Sequence, residues 1–64
     1  MKNNIKTLRS AFNLTQEDLA KRIEVSRQTI NAIEKGKFDP SLPTAFRLAE
    51  VFSCKIEELF IYEP

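Results

Sequence analysis

The sequence predicts an all-α fold: one domain of five short helices. Three observations lead there. Apolar residues recur at spacings of three and four along most of the chain. The hydroxyl residues Thr15, Ser26 and Ser41 stand where such runs begin, which is where helix N-caps belong. No Val/Ile/Thr-rich alternating run bounded by turns offers a strand. The one exception is Leu59 to Tyr62, a four-residue apolar patch suited either to adding as an edge or to packing in a dimer.

Each element follows from local chemistry. The first helix carries Ile5, Leu8 and Phe12 on one face and ends near Asn13, a residue that tolerates the left-handed conformation. Thr15 and Asp18 have the spacing of a capping box for the second helix, which turns Leu19, Ala20 and Ile23 inward. After a short break at Glu24 and Val25, Ser26 caps a third helix, Arg27 to Glu34, whose inward residues are Ile30 and Ile33. Gly36, the only glycine, sits just past its end, where a positive φ is needed.

Residues 37–40 form a loop. Ser41 caps a fourth helix, with Pro43 tolerated in its first turn and an expected core stripe of Leu42, Ala45, Phe46, Ala49 and Phe52. Ser53 and Cys54 break it. A fifth helix carries Ile56, Leu59 and Phe60, and residues 61–64 are a tail. The five phenylalanines, Phe12, Phe38, Phe46, Phe52 and Phe60, are core candidates, Phe38 being the one in a loop.

Composition removes whole classes of function. The 64 residues include no His, so a Ser-His-Asp triad and a Cys-His pair are impossible. One Cys excludes an intramolecular disulfide and a Cys/His zinc site. Cys54 reads as a small core residue of a reduced, cytoplasmic protein. The remaining carboxylates, such as Glu57 and Glu58, are adjacent on an exposed helix with no pocket to work in, so no enzyme, cofactor, metal or small-molecule ligand is expected. No stretch approaches the ~20 apolar residues of a membrane span. Ten basic and nine acidic residues give a net charge of +1, but the distribution is uneven. Residues 1–38 hold eight basic and four acidic side chains (+4), and residues 39–64 hold two and five (−3). The total conceals a dipole whose basic half suits a polyanion.

Two short helices joined by a tight turn, at about residues 15–35, form a helix-turn-helix pattern. At about 100° per residue, Gln28, Asn31 and Lys35 point nearly opposite to Ile30 and Ile33, with Arg27 and Ala32 flanking. Arg pairs bidentately with guanine, and Asn or Gln with adenine. Arg27, Gln28 and Asn31 are therefore candidates for base readout. Thr15, Gln16 and Ser26 lie at helix N-termini that favour phosphate. The Thr29 hydroxyl, and Lys35 and Lys37 beside Gly36, are further phosphate candidates.

The run Leu14-Thr15-Gln16-Glu17-Asp18-Leu19-Ala20, through Val25-Ser26-Arg27-Gln28-Thr29-Ile30, to Ile33-Glu34-Lys35-Gly36 resembles the Cro/C1-type helix-turn-helix family, also called XRE. The later runs Pro40-Ser41-Leu42 to Leu48-Ala49 and Ile56-Glu57-Glu58-Leu59-Phe60 look like that family's fourth and fifth helices. The resemblance covers nearly the whole chain as a single domain, residues 1–64. It implies a lambda repressor-like five-helix fold and a bacterial or phage transcriptional regulator of double-stranded DNA. The third helix would lie in the major groove, a docking geometry known from phage λ repressor and Cro. By matching position, Gln16 would bind phosphate and buttress the start of the recognition helix. Two residues depart from the pattern. Glu24 stands where the turn often has Gly, and Lys55 stands where the fifth helix often has a Ser, Thr or Asp cap, so that end is expected to be frayed or held by a partner.

The C-terminus suggests a second surface. Leu59, Phe60, Ile61 and Tyr62 are consecutive, and a core this small is not expected to absorb all four. A symmetric homodimer through the fifth helix and tail is the expectation. The alternative is a protein-interaction module, such as an antitoxin or a small partner protein, that binds through the same apolar tail.

Overall fold

The computed structural model describes residues 1–64. In chain order the elements are β1 (Lys2–Asn3), α1 (Ile5–Ala11), α2 (Gln16–Ile23), α3 (Arg27–Glu34), α4 (Leu42–Val51), α5 (Ile56–Leu59) and β2 (Phe60–Ile61). The five expected helices are present. The addition is a two-stranded antiparallel sheet, in which Lys2 faces Ile61 and Asn3 faces Phe60. Of the two roles open to the Leu59–Tyr62 patch, its centre takes the strand. The Asn4 N–H donates to the Leu59 carbonyl at 2.9 Å, and Asn4 Nδ2 donates to the Glu58 carbonyl at 3.1 Å. These bonds tie the first residues to the end of α5. No helix is long and apolar enough to cross a membrane.

The helix starts follow the side-chain caps. Thr15 Oγ1 accepts the Asp18 N–H at 3.0 Å, and Asp18 Oδ2 accepts the Thr15 N–H at 3.0 Å, completing a capping box. The bond from the Thr15 backbone, then that from its side chain, holds the Asp18 carboxyl below the ordinary aspartate range. Ser26 and Ser41 accept the N–H groups of Thr29 and Thr44. At α5 the missing cap is half replaced, because Glu58 Oε1 accepts the Lys55 N–H at 2.9 Å.

The helix stops are left-handed residues: Asn13, Glu24, Gly36 and Ser53 have φ of 56°, 60°, 74° and 50°. After α3, the Gly36 and Lys37 N–H groups donate to the Ile33 and Ala32 carbonyls, the paired bonds of a Schellman motif. A Cβ at Gly36 would sit in contact with the Met1 carbonyl oxygen at 3.4 Å, so its positive φ is what requires a glycine there. Glu24 holds the turn between α2 and α3 without a glycine's freedom, at a cost of roughly 1 kcal/mol.

All the buried residues are apolar. Ile5, Leu19, Ile23, Ile30, Ile33, Leu48 and Leu59 are essentially inaccessible, so every helix contributes at least one anchor. Three expectations need correction. In α4, Leu42 and Phe46 are 65% and 54% exposed, and Leu48 takes the core position instead. Phe38 is 52% exposed, while Phe12 is half out of the core with its ring edge-on to Phe52 at 5.3 Å. Leu59 and Phe60, read as dimer contacts, are buried in this chain's own core, because α5 packs against α4 and β2 pairs with β1; only Ile61 and Tyr62 remain exposed.

Candidate nucleic-acid interface

α2 and α3 are packed together with their N-termini capped, and their shared outer side holds the polar residues. Gln16, Arg27, Gln28 and Asn31 line one open notch of about 200 Å³ with no apolar lining residue. The three base-readout candidates and the first residue of α2 are therefore in one place. The cause is periodicity. Ile30 and Ile33 bury one face of α3, and the residues between and before them are carried outward.

Arg27, Gln28, Lys35 and Lys37 are exposed, and none of the three cations is held by a carboxylate. Lys35 and Lys37 lie beyond the far end of α3, Lys35 about 12 Å along the axis from Arg27 at 1.5 Å rise per residue, and neither lines the notch. The hydroxyl candidates differ in what they keep free for a phosphate. Thr15 Oγ1 accepts from Asp18 N–H, and its O–H bonds the Asp18 carboxylate. Ser26 Oγ and Thr29 Oγ1 lie 2.9 Å apart, a contact that uses one hydroxyl proton of two.

Gln16 does more than its position suggests, and at a different place. Its Nε2 donates to Asn31 Oδ1 at 3.3 Å and to Glu34 Oε1 at 3.2 Å. It buttresses the middle and end of α3, not the start, because the amide reaches across the notch toward Glu34. Glu34 is in turn bound by Arg9, with Nε donating to Oε2 at 2.8 Å and Nη2 to Oε1 at 3.3 Å. The Arg9 and Glu34 side chains are only 14% and 6% exposed. Arg9 also donates to the Leu14 carbonyl at 3.0 Å. A further contact, Asn3 Nδ2 to the Ile33 carbonyl at 2.9 Å, closes the C-terminal end of α3.

Arg9, Glu34 and Asn3 were not among the expected site residues. A signal for the first two does exist: each lies four residues after a buried isoleucine, Ile5 and Ile30, and so is a charge on an apolar stripe. The pairing across 25 residues leaves no local mark.

A helix-turn-helix family profile matches residues 5–59. The chain belongs to the Cro/C1-type helix-turn-helix family of transcriptional regulators. It is 65% identical over 63 residues to an uncharacterized HTH-type transcriptional regulator of Methanocaldococcus jannaschii, covering 98% of this chain and 96% of that protein. A similar Bacillus subtilis regulator is 46% identical over 63 residues, with 98% and 96% coverage. Among solved structures, the restriction-modification controller protein C.AhdI of Aeromonas hydrophila superposes with a TM-score of 0.79 at 32% identity, over 88% of this chain and 85% of that one. Members of this family regulate transcription by binding DNA and catalyse no reaction. The archaeal relatives widen the bacterial or phage setting that the sequence motifs implied.

Proposed function

We propose that this regulator reads double-stranded DNA sequence-specifically through the notch between α2 and α3. The observation that carries this is the convergence of Arg27, Gln28 and Asn31 with Gln16 on one concave polar surface, at the N-terminal half of a helix free to enter a major groove. Lys35, Lys37 and the hydroxyls of Ser26 and Thr29 hold the flanking phosphates. Selection from random duplex DNA tests the reading, and recovery of no enriched sequence would overturn it.

Two substitutions separate the classes of contact. Arg27→Ala is expected to relax preference at one operator position by about 1–3 kcal/mol. Lys37→Ala is expected to weaken all sequences alike and to make the dependence of log K on log salt shallower by about one unit. Binding titrations over a salt series check both. An unchanged slope for Lys37→Ala would remove its phosphate role.

The partner that best suits the free apolar surface is a second copy. Ile61 and Tyr62 are 42% and 77% exposed, and through Met1 and Asp39 the hollow they line adjoins the apolar hollow of Leu42, Ala45 and Ile56. The expected dimer is symmetric and sets two recognition helices about 34 Å apart on a near-palindromic site. Sedimentation is expected to show the dimer on DNA. A monomer at high micromolar concentration, free and bound, would exclude it.

A further inference from the structure

We propose that the buried Arg9–Glu34 pair fixes which hydrogen-bonding face Asn31 shows to DNA, and thereby sets the base preference at one operator position. This rests on the DNA-reading role of Asn31 proposed above. Glu34 is clamped by two donors of Arg9 and is therefore an ionised carboxylate, which can only accept. The Gln16 side-chain amide lies 3.2 Å from it. Turned the other way, Gln16 would set a carbonyl oxygen against a carboxylate oxygen with no proton between them. The Gln16 NH₂ group is therefore held inward. The same nitrogen lies 3.3 Å from the Asn31 amide, and its second proton requires an acceptor there, so Oδ1 of Asn31 faces Gln16. By elimination, Asn31 Nδ2 turns toward the groove. The orientation follows from what each group can donate or accept along Arg9, Glu34, Gln16 and Asn31.

The consequence is a change in what Asn31 can read. An unconstrained asparagine presents its oxygen and nitrogen side by side, which matches adenine. Here the groove meets N–H donors alone. Asn31 donates to guanine O6 and N7 or to thymine O4 and finds no acceptor on cytosine; adenine offers N7 alone, beside an amino group that opposes a second N–H, so the keto bases are preferred on the strand it faces. Both Gln16 side-chain protons are engaged within the protein, so its contact to phosphate falls to its backbone N–H at the first position of α2. Arg9, Glu34 and Gln16 are positioning residues; Asn31 makes the contact.

The test starts from the operator that selection yields. Asn31→Ala marks the position where discrimination disappears, and affinities for all four base pairs are then measured there. The parent protein is expected to prefer guanine or thymine by about fivefold or more. Exchanging the two end groups, Gln16→Glu together with Glu34→Gln, keeps the net charge and reverses the polarity. Position 16 then only accepts, Asn31 turns its Nδ2 inward, and the preference shifts to adenine or cytosine. Circular dichroism reports whether the exchanged protein folds. If it does not, Gln16→Met, which leaves the Arg9–Glu34 pair in place, is expected to reduce the preference at that position below about twofold while the other positions are still read. A parent protein that prefers adenine or cytosine there overturns the proposal. So does a keto preference that survives the exchange or Gln16→Met. Absence of any enriched duplex is a different failure, since it removes the DNA-reading assignment itself.

Discussion

Leu59→Ala is expected to lower the stability of the domain by about 2–5 kcal/mol, the range for emptying a fully buried leucine site. Leu59 is inaccessible, and its carbonyl accepts the Asn4 N–H at 2.9 Å, so the cavity opens where the end of α5 closes over the N-terminal segment. A domain of this size loses roughly 4–8 °C of Tm per kcal/mol, and its whole stability is only about 0.05–0.15 kcal/mol per residue. The substitution should therefore leave it marginal at 37 °C. Thermal unfolding at two protein concentrations a decade apart checks the assignment. A residue of the monomer core gives the same loss at both. A residue at a subunit contact gives a loss that shrinks on dilution, because dimer stability depends on concentration. Tyr62→Ala, by contrast, is expected to change monomer stability by less than about 0.5 kcal/mol. A loss under about 1 kcal/mol for Leu59→Ala would return that residue to the surface.

The contrast between Leu59 and the α2–α3 unit shows which parts of the fold are legible in the sequence. The caps at Thr15, Ser26 and Ser41, and the stops at Asn13 and Gly36, involve residues within three or four positions of one another, so local chemistry announces them. The phase of α4 is less plain. Its buried set is Ala45, Leu48, Ala49 and Phe52. At about 100° per residue, Phe46 falls roughly 110° from the centre of that stripe, outside an apolar face of ordinary width. Reading it inward follows from its being aromatic, a property that says nothing of direction. The sheet has the weakest signal of all. Two residues at each end, Lys2–Asn3 and Phe60–Ile61, have no alternation to read, and their pairing is decided by where α5 delivers the chain.

The site divides in the same way. The outward set Arg27, Gln28 and Asn31 is a matter of helical phase on one short element, and these three side chains line one notch. The order within that notch is not local. Whether Asn31 offers a donor or an acceptor is settled by Gln16 fifteen residues away and by the partnership of Glu34 with Arg9. A helical wheel places side chains on faces but does not fix the sense of an amide.

The second large effect concerns that partnership. Arg9→Met alone leaves the Glu34 carboxylate, 6% exposed, without its counter-ion, and is expected to cost about 3–5 kcal/mol. Glu34→Leu alone strands the Arg9 guanidinium and should cost a similar amount. The double substitution removes both charges and restores apolar volume, so it is expected to lie within about 1 kcal/mol of the parent, apart from the Arg9 bond to the Leu14 carbonyl. Chemical unfolding of the four proteins closes the cycle. The coupling energy should be at least about 2 kcal/mol, whereas a value near zero would mean that the pair behaves as a solvated surface bridge. Recovery of stability in the double variant has a further meaning. If apolar side chains can replace the pair at little cost in folding, stability alone does not account for a buried charge linking α1 to the recognition helix. The double variant has no carboxylate to hold Gln16, so it should fold and bind DNA while losing discrimination at the position read by Asn31. A folded protein with unchanged preference there would leave the ion pair as an ordinary tie between helices. A folded protein that has lost that one preference would identify the pair as part of the reading apparatus.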